Sequence, residues 1–313
     1  MGSLSATSGS LTPRAPFDFQ KGLDFLAAFD PMQGEQVIGE GELCKALAEG
    51  GRTVVYSVRG AGSVKRPTVD YTLWSEGRLT QKQKQAVLDR IDLFLGLSED
   101  LRPFYDRAAK DPAFQPIVER LHGMHHVKLP SPFEAACWAV LAARAPMPVA
   151  RKMKRAIVER WGSSLEVSGV TYSAFPEQPS LGGASEADLA ETIGNRRRAA
   201  YLHEVIRAFS DVDESWLRTA PYDEADAWLK EIRGIGPWSA AFVLLRAVGR
   251  ADNMPVNLGP IISGIETVYG KRVEPRQIEA RYGDQVGLWG VYLRFGTLTA
   301  RSGGGSRRAP RRR

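Results

Sequence analysis

Asp223-Glu-Ala-Asp-Ala-Trp-Leu-Lys-Glu-Ile-Arg-Gly-Ile-Gly-Pro-Trp-Ser-Ala-Ala-Phe-Val-Leu-Leu-Arg-Ala-Val-Gly249 is the segment that decides the fold. Apolar residues recur at helical spacing on both sides of Arg233-Gly234-Ile235-Gly236, which predicts two amphipathic helices joined by a tight corner. Two glycines let the chain turn sharply and come close to another molecule, and Ile235 between them is placed to plug the helices together. Pro237 then opens the second helix, whose first N–H groups point outward with a partial positive charge. Such a turn is a cradle of backbone amides suited to phosphate, and it grips a strand without reading its sequence. Gly-x-Gly alone also marks ordinary helix–helix corners.

Moving outward, helical periodicity continues at 81–97, 101–110, 112–121, 132–143, 148–161, 185–193, 196–210, 259–269, 275–282 and 284–299. The body from 79 to 300 is therefore expected to be all-α, with the hairpin at 222–249. Upstream, 53–58 and 69–74 read as strands and 21–29 as a short helix, so 16–78 is expected to be a small α+β domain. Residues 1–15, rich in Ser, Thr and Gly, read as a flexible leader, and 301–313 as a disordered basic tail with six arginines and no acid.

Composition narrows the function classes. Hydrophobic residues make up 43% of the chain, enough for ordinary cores, and no apolar run approaches the roughly 20 residues that span a bilayer. Nothing at the N-terminus resembles a secretory signal, which points to the cytoplasm. Two cysteines, Cys44 and Cys137, are too few for an iron–sulfur cluster or a thiolate zinc site. The net charge of +6 suits salt-sensitive attraction to phosphates.

The string Leu-x-x-Ile-x-Gly-Ile-Gly-Pro-Trp-Ser-Ala, followed by Leu-Arg and then Pro255-Val-Asn-Leu-Gly259, closely resembles the helix–hairpin–helix DNA glycosylases. The nearest branch is the 3-methyladenine DNA glycosylase II type. Segments 129–141, 187–202 and 288–292 resemble the helix before that family's wedge loop, its central helix pair and its closing helix. The likeness runs over about 16–300.

The resemblance implies a mainly α fold of two helical subdomains with a small N-terminal α+β domain. It implies a monomeric, nucleoid-associated DNA repair enzyme acting in base excision on alkylation damage, by base flipping. Its partner would be double-stranded DNA containing alkylated or abasic sites. The backbone-binding residues would be Gly234, Ile235, Gly236 and Ser239, and the base pocket Trp238, Phe242 and Trp289. Aromatic faces suit a cationic alkylpurine, and a glycosylase must hold the extruded base. Arg144 occupies the wedge position in Ala143-Arg-Ala-Pro-Met-Pro148; a phosphate ligand or a surface charge are the other readings of that arginine. Bifunctional members carry a lysine where this chain has Trp238, so lyase chemistry is not expected. No cofactor is expected beyond a monovalent cation at the hairpin.

The family's catalytic aspartate falls at Asn257. Cleavage of an N-glycosidic bond builds positive charge on the sugar, which a carboxylate stabilises. Losing such a contact costs roughly 2.7–4 kcal/mol, or about 10²–10³ in rate. Three explanations stand open: an inactivating Asp→Asn change, a lineage that works with Asn257 because cationic purines leave readily, or lesion binding without cleavage. Asp252 is the nearest other carboxylate in the segment. His122-Gly-Met-His125-His126 lacks a third ligand and reads as a solvated loop rather than a metal site. Arg196-Arg197-Arg198 opens a helix and suits either a solvated face or a phosphate contact.

Overall fold

The β-branched run at 53–58 forms the first half of a long strand in the computed structural model, which describes residues 3–256, 259–271 and 273–303. Strands β1 (Leu4–Leu11), β2 (Gln36–Gly39), β3 (Glu42–Glu49), β4 (Arg52–Ser63) and β5 (Arg66–Glu76) make one antiparallel sheet. Their order is β1-β5-β4-β3-β2. Val54, Tyr56 and Val58 of β4 join Val69, Tyr71 and Leu73 of β5 in the main core. Val55 points the other way and is buried as well, because a second hairpin covers that face. Strands β6 (Ser163–Val167) and β7 (Val170–Ala174) pack Leu165, Val167 and Ala174 against Ala46 and Val55.

This arrangement corrects two expectations. Residues 4–11 are not a flexible leader: they pair with β5 along their whole length, from Leu4 opposite Glu76 to Leu11 opposite Val69. An edge strand needs one partner and one half-covered face, so small polar residues suffice where β5 supplies the template. Nor is the body from 79 to 300 wholly helical, since β6 and β7 lie inside it. Their turn, Ser168 and Gly169 at φ of 51° and 79°, has the left-handed pair of a two-residue hairpin.

The expected helices form with ends shifted by a few residues. Ser131 caps Pro132–Ala142, Ser185 caps Glu186–Ile193 and Asn195 caps Arg196–Ala208, each by accepting an amide from the first turn. The helix from Pro237 is α only to Val243, after which Leu244–Val248 widens into a π turn. A short helix, Glu214–Thr219, had no expectation attached to it. The last helix, Val286–Gly303, takes in the first three residues expected to belong to the tail, and 304–313 lie outside the described residues. Among the described residues no helix is long and apolar enough to cross a membrane.

Sheet and helices share one continuous hydrophobic core. At their seam lies a buried chain of charges. Lys154, 2% exposed, meets Glu134 at 2.6 Å and Glu35 at 2.5 Å, and Glu35 meets Lys45 at 3.3 Å. The Lys154 ammonium also lies over the rings of Trp138 and Phe175, 5.8 and 5.6 Å from their centroids.

Candidate nucleic-acid interface

The turn after helix Tyr222–Glu231 is built on burial of Ile232 and Ile235, 6% and 4% exposed, which fix the two hairpin helices against the core. Gly234 between them has φ of 101°, in the left-handed region. A Cβ there would fall 2.6 Å from Cβ and Cγ of Tyr201. Only glycine meets both conditions. Gly236 is exposed, and its carbonyl accepts the Ala240 amide at 3.0 Å, starting the second helix. Among the described residues the amides of Gly236, Trp238 and Ser239 have no protein acceptor. The Ser239 side chain is buried, so what it can offer to a strand is its backbone.

Trp238 is 39% exposed, an unusual position for so large an apolar side chain. One helical turn on, half-buried Phe242 stacks against it with centroids 5.3 Å apart and planes 25° from parallel. The two rings make an aromatic surface directly beside the free amides. Trp289 does not join them. It is wholly buried, its ring neighbours are Phe114, Tyr269 and Tyr282, and its Nε1 donates to the Tyr269 hydroxyl at 3.0 Å. That indole belongs to the core because the closing helix turns it inward, a choice that helical periodicity alone does not make.

Helix Arg196–Ala208 supports the turn from behind. Its Tyr201 is the floor under Gly234, and two guanidinium groups lie against that ring. The Arg197 hydrogen bond to its hydroxyl pulls the Tyr201 pKa below the ordinary tyrosine range. One turn earlier, Arg198 donates through Nη2 to the Ala143 carbonyl at 2.7 Å, tying down the loop that presents Arg144. Arg144 is exposed with φ of 52°, a left-handed conformation in a residue with a Cβ. Arginines 196 to 198 thus include one structural tie, Arg198, and do not form a uniform solvated face. The sequence reading did not single out Tyr201; the signal available was a bulky ring required opposite a glycine turn.

Asn257 lies outside the described residues. Asp252 is exposed and held by Arg250 at 3.0 Å, while Arg250 also donates to the Ala220 carbonyl at 2.7 Å. The histidine segment is not a solvated loop: His125 and His126 are 1% and 3% exposed. His125 lies between the carbonyls of Gly96 and Pro16, at 2.5 and 2.9 Å, and His126 Nε2 is 2.6 Å from Arg246 of the π turn. Among the described residues no group of three His, Cys, Asp or Glu is placed to hold a metal ion. A cavity of about 280 Å³ lined by Lys45, Phe133, Glu134, Phe175 and Phe209 lies on the sheet side, and no hairpin residue lines it.

The architecture is the helix–hairpin–helix DNA glycosylase fold, mainly helical with a small N-terminal antiparallel sheet. The chain superimposes on a 3-methyladenine DNA-glycosylase from Archaeoglobus fulgidus with a TM-score of 0.74 at 22% identity, covering 92% of this chain and 97% of that one. It also matches the 8-oxoguanine glycosylase/lyase of Clostridium acetobutylicum in complex with double-stranded DNA, with a TM-score of 0.69 at 19% identity over 96% of this chain and 98% of that one. In sequence it is 28% identical over 201 residues to a DNA-3-methyladenine glycosylase of Bacillus subtilis (strain 168), covering 64% of this chain and 66% of that relative. No family model matches the chain.

Proposed function

We propose that this chain is a monofunctional DNA glycosylase that flips alkylated purines of the 3-methyladenine or 7-methylguanine type out of duplex DNA and hydrolyses their N-glycosidic bond, at a rate lowered by Asn257. The observation that carries this reading is the exposed Trp238, stacked on Phe242 next to amides with no protein acceptor. An extruded base needs an aromatic face, and the strand it leaves needs a grip that ignores sequence. The sequence similarity to a 3-methyladenine glycosylase favours alkylpurines over oxidised ones. A methylated purine is already cationic, so it is attracted to the Trp238 face and leaves without being protonated. The Asn257 carboxamide offers the developing sugar cation a dipole in place of a charge. The test is release of free base from duplexes carrying 3-methyladenine or 7-methylguanine, with the chain as it stands and as Asn257→Asp. Release should rise about 10²–10³-fold in the aspartate form. No release from either form would refute hydrolysis.

A second reading, a damaged-DNA binding protein without turnover, is favoured by one observation. The carboxylate that the segment does carry, Asp252, is already paired with Arg250. It predicts tight, lesion-dependent binding and no release even from the aspartate form.

A further inference from the structure

Arg197 and Arg233 come from different elements and meet at one ring. Their guanidinium carbons lie 5.6 and 5.7 Å from the Tyr201 centroid, and Arg197 Nε donates to the Tyr201 hydroxyl at 3.0 Å. Among the described residues neither has a carboxylate partner. Elsewhere in the molecule Arg160 is neutralised by Asp188 and Glu191, and Arg90 by Glu49 and Glu214. Two like charges held against one uncharged ring repel each other, and an anion between or beside them relieves that repulsion. The ring also restricts the rotamers of both long side chains, so less conformational freedom is lost when an anion binds. Arg233 is the residue before Gly234, so it stands in the same turn, three residues ahead of the first free amide, that of Gly236.

We propose that Arg197 and Arg233, braced on Tyr201, form a clamp for a DNA backbone phosphate adjoining the stretch of strand held by the hairpin amides. Guanidinium forks match phosphate oxygens in charge and geometry. The clamp reads no base, and it acts on undamaged and damaged duplex alike. It rests on the reading that the Gly234 turn faces DNA.

The test is a salt titration of the full chain on undamaged duplex. Each phosphate contact contributes a slope of about −0.9 to the dependence of log affinity on log salt, so raising salt from 50 to 200 mM costs about threefold in affinity per contact. Arg197→Gln with Arg233→Gln keeps much of the stem packing on the ring while removing both charges. This double variant should bind more weakly at 50 mM and lose about threefold less affinity over that rise than the unaltered chain. Arg197→Lys with Arg233→Lys should recover most of the salt dependence, and Arg160→Gln, whose charge is already neutralised, should leave it unchanged. A slope identical to that of the unaltered chain, in a double variant with an unchanged melting temperature, overturns the clamp. If the double variant melts early, the single variants Arg197→Gln and Arg233→Gln are read in the same way. Failure of the glycosylase reading is separate: base release is absent while the slope still changes.

Discussion

At the seam between sheet and helices, Lys154 stands between Glu134 and Glu35, out of water and with every charge answered. Around the Gly234 turn, Arg144, Arg197 and Arg233 face solvent without a carboxylate partner among the described residues. The first region resembles a catalytic cluster in its density of ionisable groups, yet its geometry is closed. Burial works to raise the Glu35 pKa, but the ammonium groups of Lys154 and Lys45 outweigh it and hold the carboxyl below its usual range. Lys154 is pushed in the opposite sense, up to about 12, because the attraction of Glu134 and Glu35 exceeds the effect of its burial. Paired charge of this kind stabilises one arrangement of the chain; unpaired charge beside exposed aromatic rings and free amides is left for a partner.

The contrast can be broken most forcefully at Glu134. Replacing it by alanine leaves Lys154 and Lys45 to share Glu35, with one buried positive charge uncompensated, and stability should fall by about 3–5 kcal/mol, read from the denaturant midpoint. Glu134→Leu combined with Lys154→Met, which keeps the Glu35–Lys45 pair, should recover most of that loss; a single substitution that leaves the midpoint in place would show the network to be idle. At the turn, Gly234→Ala forces a Cβ into Tyr201 at an unfavourable φ, and should cost about 1–3 kcal/mol of stability together with DNA affinity. Trp238→Ala has the reverse signature: little change in melting, with a loss of about 1–3 kcal/mol in binding to a lesion duplex, the worth of one stacked base. Equal affinity of the variant for lesion and plain duplex, where the parent discriminates, would place the flipped base on Trp238.

The smallest effect concerns pH. Burial, then Arg246 and Lys128, keep His126 well below the ordinary histidine range, so folding favours its neutral ring. The unfolded chain takes up the proton first. The stabilising contribution is therefore complete above about pH 6.5 and is lost as pH falls below it, by up to about 1.4 kcal/mol per unit. Denaturation of the parent and of His126→Gln at pH 7.5 and 5.5 checks this: the parent should lose more stability than the variant, and parallel losses would contradict it.

What could be read from the chain beforehand was local. The hairpin's glycines and the Trp238–Phe242 pair all lie within 234–242, where helical spacing dictates who faces whom. Trp289 was misplaced because its direction is set by packing against Phe114 and Tyr282, which lie far from it in the chain. Strand β1 was hidden by a composition typical of loops, although β5 supplies its entire hydrogen-bonding ladder. The β6–β7 hairpin carried a recognisable Ser-Gly turn between alternating residues that the helical periods on either side overshadowed. Lys154 and Glu134, as charged residues on helices, carried no sign that they would be sealed inside.

Helix Arg196–Ala208 fastens the Ala143 carbonyl through Arg198 and the Gly234 turn through Tyr201, three positions apart. Three residues of α-helix amount to about 4.5 Å of rise on a stiff rod. The loop tip and the turn are therefore referred to one rod, which sets the distance between their two supports, and a strand bound at the turn as proposed would meet the loop tip at a set offset. Changing the length of that rod by a single residue would rotate one support by roughly 100° relative to the other, leaving both intact and neither usable with its mate.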